Sequence, residues 1–184
     1  MSNGAAAPGE LELVRAFVNT LDVESGEDEL PTPDALARWL TEHGLLPDSV
    51  NASRPDLSRA LAVREALRSL LTANNGGAVD ADAAPVVEAA ARAAKLELRF
   101  GTDGAAALEP AVGGVSGALG RLLAIVARAM VAGTWSRLKT CRSETCRWAF
   151  YDRAKNRSRT WCSMAVCGNR RKVRTYRAKR SASA

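Results

Sequence analysis

Little in this chain offers obvious chemistry. Among 184 residues there is one histidine, His43, and no cysteine before position 141. A lone imidazole makes no acid–base pair and no histidine metal set. Beside Gly44, at the end of an apolar helical stripe, it reads as ordinary helix-end polarity. No Gly-x-Ser-x-Gly elbow occurs, and no lysine-bearing glycine-rich phosphate loop. Gly113-Gly114-x-x-Gly117 lacks the rest of a dinucleotide fingerprint and reads as a loop entering a helix. These absences lead to the expectation that the protein is not an enzyme. No uninterrupted run of 18 apolar residues is present, so no membrane-spanning helix is expected. Met1 to Gly9 has no basic stretch ahead of an apolar one, so no secretory signal is expected and the cytoplasm is the expected compartment. With 47% hydrophobic residues, wholesale disorder is excluded.

What is present is unevenly divided. The formal net charge of +6 averages two opposite parts. Residues 137–184 hold 15 Lys/Arg against 2 Asp/Glu, a net of +13; residues 1–136 hold 11 against 18, a net of −7. All four cysteines fall in the basic part. Such asymmetry predicts two units, 1–136 and 137–184, with different tasks.

The acidic part reads as helices. Leu11, Val14, Val18 and Leu21 form one stripe, widened by Leu13 and Phe17. Thr32 caps a second helix with Pro33 at its first position. Ser53 or Asp56 opens a third, through Leu57, Leu61, Arg64, Leu67 and Leu71, broken by Asn74-Asn75-Gly76-Gly77. Asp82 to Lys95 is an Ala-rich fourth. Leu96, Leu98 and Phe100 then alternate with charged residues, and Gly101 to Gly104 is turn chemistry, so a β-hairpin returning through Ala105 to Leu108 is expected. A long helix comes next, through Leu119, Leu122, Leu123, Val126 and Met130, ending near Gly133. The fold class is α+β, mostly α: a helical N-terminal domain with a small antiparallel sheet, joined near Gly133 to Arg137 to the second unit.

In the basic part the spacing is Cys141-x4-Cys146, fifteen residues, Cys162-x4-Cys167. Two close pairs at this separation are the arithmetic of a four-thiolate zinc site, closed and hence structural. Two disulfides or four free thiols are the alternatives, and a reducing compartment disfavours the disulfides. Positions five apart on a regular α-helix differ by about 140° around the axis. Cys162 and Cys167 therefore require a turn, for which Gly168 supplies unusual φ and Asn169 a cap. The expected order is a cysteine turn, a hairpin of Trp148–Phe150 with Arg159–Trp161, a second cysteine turn, and a helix from about Arg170 to Lys179 with Val173 and Tyr176 on the metal core. That order describes a treble-clef-like finger. Its apolar content is small enough that one zinc ion must supply much of its folding free energy. Chelation is then expected to melt the finger and spare the helical domain.

Arg170, Arg171, Lys172, Arg174, Arg177, Lys179 and Arg180 crowd the final helix, and Arg153, Lys155, Arg157 and Arg159 crowd the hairpin. A solvated face is the plain alternative, but charge this dense and uncompensated favours a polyanion, and nucleic acid phosphates are the expected partner. The aromatics would favour RNA if they stacked on bases; a role as the finger's small core is preferred.

The run Trp161-Cys162-Ser163-Met164-Ala165-Val166-Cys167-Gly168-Asn169-Arg170-Arg171-Lys172-Val173-Arg174, with Cys141-x4-Cys146 and Asp152-Arg153-Ala154-Lys155-Asn156-Arg157-Ser158, resembles the CGNR zinc-finger family. Phe17-Val18-Asn19-Thr20, ahead of the Pro31 to Leu46 helix, resembles the opening of the ABATE domain that accompanies such fingers. The resemblance implies a bacterial stress-type transcription regulator with a four-cysteine zinc site, DNA binding and an N-terminal domain that senses a ligand. The resulting expectation is a nucleoid-associated DNA-binding regulator holding one structural Zn2+ on Cys141, Cys146, Cys162 and Cys167. DNA is favoured over RNA, and a small-molecule effector and a homodimer are assigned to residues 1–136. RNA binding, or an enzyme or small-molecule-binding protein using residues 1–136, are the alternatives.

Overall fold

Thr32 shows how local sequence sets the helices. Its extended backbone ends the preceding loop, its hydroxyl accepts the Ala35 amide at 3.2 Å, and Pro33 starts the helix where a missing N–H costs nothing. Both candidates for the third helix start turn out to act together. Ser53 Oγ accepts the Asp56 amide, and the Asp56 carboxylate accepts the Ser53 amide at 3.0 Å, closing a reciprocal cap. A computed structural model describes residues 5–181; the side chains at 175, 177–179 and 181 lie outside that description. The helices are α1 (Leu11–Val18), α2 (Pro33–Glu42), α3 (Arg54–Ala73), α4 (Ala83–Ala93), α5 (Gly114–Val131) and α6 (Asn169–Ser181). Strands β1 (Leu96–Phe100) and β2 (Ala106–Pro110) pair antiparallel, as do β3 (Leu138–Thr140) and β4 (Ala149–Tyr151).

The main core gathers Phe17, Leu36, Leu40, Leu67, Leu71, Leu119 and Leu122, all fully buried, from α1, α2, α3 and α5. Burying each such side chain stabilises by roughly 1.5–3 kcal/mol. Helix α5 has the length and apolarity of a membrane span, yet 11 of its residues are buried inside this core, which accounts for its composition. Its stripe stops short of the expected end: Met130 is exposed. Gly117 sits so close to the Val112 carbonyl that a Cβ would overlap it, so close packing accounts for this glycine.

The second hairpin departs from expectation. The pairing is Leu138 with Tyr151, Lys139 with Phe150 and Thr140 with Ala149, so the strands flank the first cysteine pair. Arg159 to Trp161 forms no strand. Side chains alternate across this small sheet, and its two faces serve two cores. Leu138, Ala149 and Tyr151 join the helical core, while Phe150 packs with the four cysteines, flanked by Trp148 and Trp161. The basic part is therefore fastened to the helical part by a shared wall.

Polar bonds reinforce that wall. The Asn19 side chain donates to the Ala149 carbonyl at 2.9 Å and accepts its amide at 2.8 Å. Asn74 donates to the carbonyls of Trp135 and Leu138, and Asn75 to those of Thr140 and Thr160. The Asn74-Asn75 pair, expected only to break α3, thus also anchors β3.

Candidate metal centre and basic face

Cys141 comes directly after β3, and Cys146 closes a tight turn whose amide donates to the Ser143 carbonyl at 3.0 Å. Arg147 completes the turn in a left-handed conformation, with φ of 47°. Its carbonyl accepts from the guanidinium of Arg68 at 3.3 Å. Cys162 lies in the segment before Ser163, which is extended and caps the next turn by accepting the Val166 amide. Met164–Gly168 then winds as one π-helical turn, with the Gly168 amide bonded to the Ser163 carbonyl, and runs straight into α6. The wider turn brings Cys167 back toward Cys162. Gly168 is buried beneath Met164, and a Cβ there would displace the sulfur of that half-exposed, flexible side chain. Asn169 is helical and donates to the Ala165 carbonyl at 3.1 Å, so it continues the helix where a cap was expected.

The four sulfurs lie within 4.8 Å of one another and all four cysteines are buried and unbridged. Cys146 Sγ is 3.6 Å from Cys162 Sγ, and Cys162 Sγ is 3.7 Å from Cys167 Sγ. Zinc–sulfur bonds of about 2.3 Å in a tetrahedron place sulfurs ~3.8 Å apart, whereas a disulfide needs about 2.05 Å. The site is thus able to bind one zinc ion. Protonation is uneven in the cluster. Hydrogen bonding from the Cys146 and Cys162 thiols pulls the Cys141 thiol down to about 2. The bond to Cys141 pushes Cys146 up, and burial pushes Cys167 up to about 12. Neighbouring thiolates repel in a buried site, and a divalent cation is the group that allows all four to ionise.

Asp152 organises the loop between β4 and the second cysteine pair. Its carboxylate is fully buried and accepts from Lys139 Nζ at 2.7 Å, the Ala154 amide at 2.9 Å and the Arg159 amide at 3.0 Å. Burial alone would raise this carboxyl, but the Lys139 ammonium and the two amides outweigh it and hold it below the ordinary value of 3.8. Arg159 is committed inward: it lies over the Phe150 ring, and its guanidinium donates to the carbonyls of Trp161 and Cys162. Arg153 donates to the Ala6 carbonyl and Arg157 to Ser136 Oγ, while Lys155 is exposed.

Along α6 the described side chains of Arg170, Arg171, Lys172, Val173, Arg174, Tyr176 and Arg180 are all exposed. Val173 and Tyr176 therefore do not pack on the metal core, whose apolar partners are Phe150, Trp148 and Trp161. Arg170 pairs with Glu24 of the loop after α1, and Arg180 lies over the Tyr176 ring. Arg177 and Lys179 lie outside the described side chains. Arg170, Arg171 and Arg174 converge on one cleft with Arg142, a residue the charge pattern alone did not single out.

Two buried arginines also escape the sequence pattern. Arg64 holds Asp28 with both terminal nitrogens, at 2.7 and 2.8 Å. Arg68, fully buried, donates to the Val18 and Leu21 carbonyls and pairs with Glu65. The helical spacing from Leu57 to Leu71 gives the only hint, since Arg64 stands on that stripe.

Two family profiles match the chain. A family profile described as "Putative stress-induced transcription regulator", ABATE, matches residues 11–133, about two thirds of the chain. A CGNR zinc-finger profile matches residues 137–180, spanning all four cysteines, the Asp152 loop and nearly all of α6. No curated protein matches the chain. The chain therefore belongs to the ABATE family of transcription-regulator type and carries a CGNR zinc finger at its C-terminal side.

Proposed function

We propose that this regulator acts by binding DNA, with the zinc-organised finger presenting α6 to the phosphate backbone and residues 1–136 serving as the sensory unit. One observation carries the reading. Helix α6 exposes every described side chain, bears arginine or lysine at 170, 171, 172, 174 and 180, and contains no acidic residue. Its own packing does not explain such a helix, and close like charges repel until a polyanion relieves them. Arg153, Lys155 and Arg157 on the loop that begins at Asp152 add three exposed cations to the finger. Trp148 and Trp161 are turned against the cysteine core, which leaves fewer rings for base stacking and favours a duplex over single-stranded RNA.

The metal's part in this reading is structural. Zinc on Cys141, Cys146, Cys162 and Cys167 fixes the π-turn from which α6 starts. The helical unit has a groove of about 530 Å³ lined by Leu13, Leu45, Leu108 and Ile125 and by the balanced charges of Arg121 and Arg128 against Glu10 and Glu109, with Arg128 already paired to Glu10, where a small effector of little net charge would fit. A thermal-shift screen with and without Arg121→Ala checks that assignment, and sedimentation at two concentrations checks a homodimer.

Sequencing of nucleic acid that co-purifies with the zinc-loaded chain, and then competition between duplex DNA and structured RNA at matched salt, tests the main reading. Duplex DNA is expected to be retained and to outcompete the RNA. Preferential retention of RNA, or no nucleic acid at any salt concentration, would contradict it.

A further inference from the structure

Between the first cysteine turn and the start of α6 lies a cleft of about 230 Å³, lined by Arg142, Glu144, Trp161, Arg170, Arg171 and Arg174 together with the hydroxyl residues Ser143 and Thr145. Its volume is below that of a cavity for a drug-sized ligand, and its charge is four guanidiniums against one carboxylate. Two elements supply the cations. Arg170, Arg171 and Arg174 stand one and two turns beyond the ligand Cys167, on one helical face. Arg142 comes from the opposite wall, immediately after the ligand Cys141.

Arg142 is held in place. Its amide donates to the Thr160 carbonyl at 3.1 Å, and its Nε donates to the Asn75 carbonyl at 3.0 Å. One edge of the guanidinium is thereby fixed to the end of α3, which lowers the side-chain entropy lost when an anion binds. On the far side of Arg170 the field reverses, because Glu24 pairs with Arg170 and Asp22 stands beside it in the adjoining groove. A polyanion meeting α6 is drawn to the Arg142 side and repelled from the Glu24 side.

We infer that this cleft is a phosphate seat: it takes one phosphodiester of the bound nucleic acid between Arg142 on the cysteine turn and Arg171 and Arg174 on α6. The inference rests on the nucleic-acid reading above and deepens it, since it fixes which side of α6 faces the backbone. Both cationic walls are tied to metal ligands, so seating a phosphate requires the folded zinc site and not merely a basic segment.

The test uses the full zinc-loaded chain, a short labelled duplex and a salt series read by fluorescence anisotropy. Each phosphate contact contributes about 0.9 to the slope of log K against log salt. Arg142→Ala should therefore flatten the slope by about 0.9 and weaken binding about eightfold at 0.1 M salt, with the two curves converging near 1 M. Arg142→Lys, which keeps the charge, should recover most of the slope, and Glu144→Gln should tighten binding. Zinc content and Tm of each variant separate a contact from a folding defect. If Arg171→Ala/Arg174→Ala flattens the slope while Arg142→Ala leaves it unchanged, the seat is overturned and the nucleic-acid reading stands. If neither variant changes the slope, the reading itself is overturned. A loss in Arg142→Ala that appears only as lowered Tm or zinc content would assign Arg142 a structural role and overturn the seat. Inorganic phosphate at constant ionic strength is the second arm. Should it stabilise the wild type through Arg142 while duplex affinity ignores Arg142→Ala, the cleft belongs to a free phosphate and the nucleic-acid assignment is overturned.

Discussion

Lys139 and Asp152 show how far a residue's role can lie from its charge. Counted as one of fifteen cations in the basic part, Lys139 is in fact buried, with its ammonium shared among the Asp152 carboxylate and the Arg157 and Arg159 carbonyls. Asp152→Asn leaves that ammonium buried without its counter-charge and should destabilise the chain by about 3–5 kcal/mol, read from the urea midpoint at neutral pH. The pH dependence has a definite sign. The folded-state value of Asp152 lies below its ordinary 3.8, so its contribution is complete above that value and is lost as pH falls through the lower folded value. The gap between wild type and Asp152→Asn should accordingly narrow on acidification below about pH 4. A gap that widens there would contradict this assignment. Arg64 and Arg68 make the same point about legibility. Their partners, Asp28 and the Val18 and Leu21 carbonyls, sit 36 or more residues away in sequence, and no local pattern announces them. The zinc ligands were legible because thiolate spacing is set by a metal's short reach, which confines ligands to close pairs.

At the scale of elements, the helices and the first hairpin are legible in the sequence because caps and periodicity act locally. Thr32-Pro33, the Ser53–Asp56 cap and the alternation from Leu96 to Phe100 all concern neighbours within a few residues. The second hairpin was not legible in the same way. Strands of three residues carry too short an alternation to distinguish 138–140 from 159–161, and only their burial against α1 and α3 selects the former. The π-turn was equally hidden, because it arises from the cysteine geometry. The joint between elements makes its own prediction. Asn19 satisfies both backbone groups of Ala149, which is fully buried. Asn19→Ala leaves two buried polar groups unpaired and should cost about 2–6 kcal/mol, at 1–3 each, and speed zinc loss to a chelator. Unchanged stability with unchanged chelation kinetics would show that this joint does not hold the two parts together.

At the scale of the molecule, the shared wall changes the expected response to metal removal. From the sequence alone, the finger is expected to melt by itself. With Leu138, Ala149 and Tyr151 inside the helical core, loss of zinc should loosen β3–β4 and lower the Tm of the helical signal as well, in one broadened transition by far-ultraviolet circular dichroism. A helical transition unaltered by chelation would restore the independent-unit picture. Lower pH should act in the same direction, since zinc needs thiolates and protons compete for them. The charge division of −7 and +13 survives as a surface property only in part, because Lys139, Arg64 and Arg68 are buried and Arg170 is met by Glu24.

The central claim is that a zinc-fixed basic helix meets a phosphate backbone. Its most direct test is the salt dependence of duplex DNA binding by the zinc-loaded full chain, beside Arg171→Ala/Arg174→Ala. For the wild type log K should fall linearly with log salt, and for the variant the slope should be smaller by about 1.8 at unchanged zinc content. Binding whose salt slope is the same in both proteins, or no binding at low salt by a fully metallated chain, would contradict it.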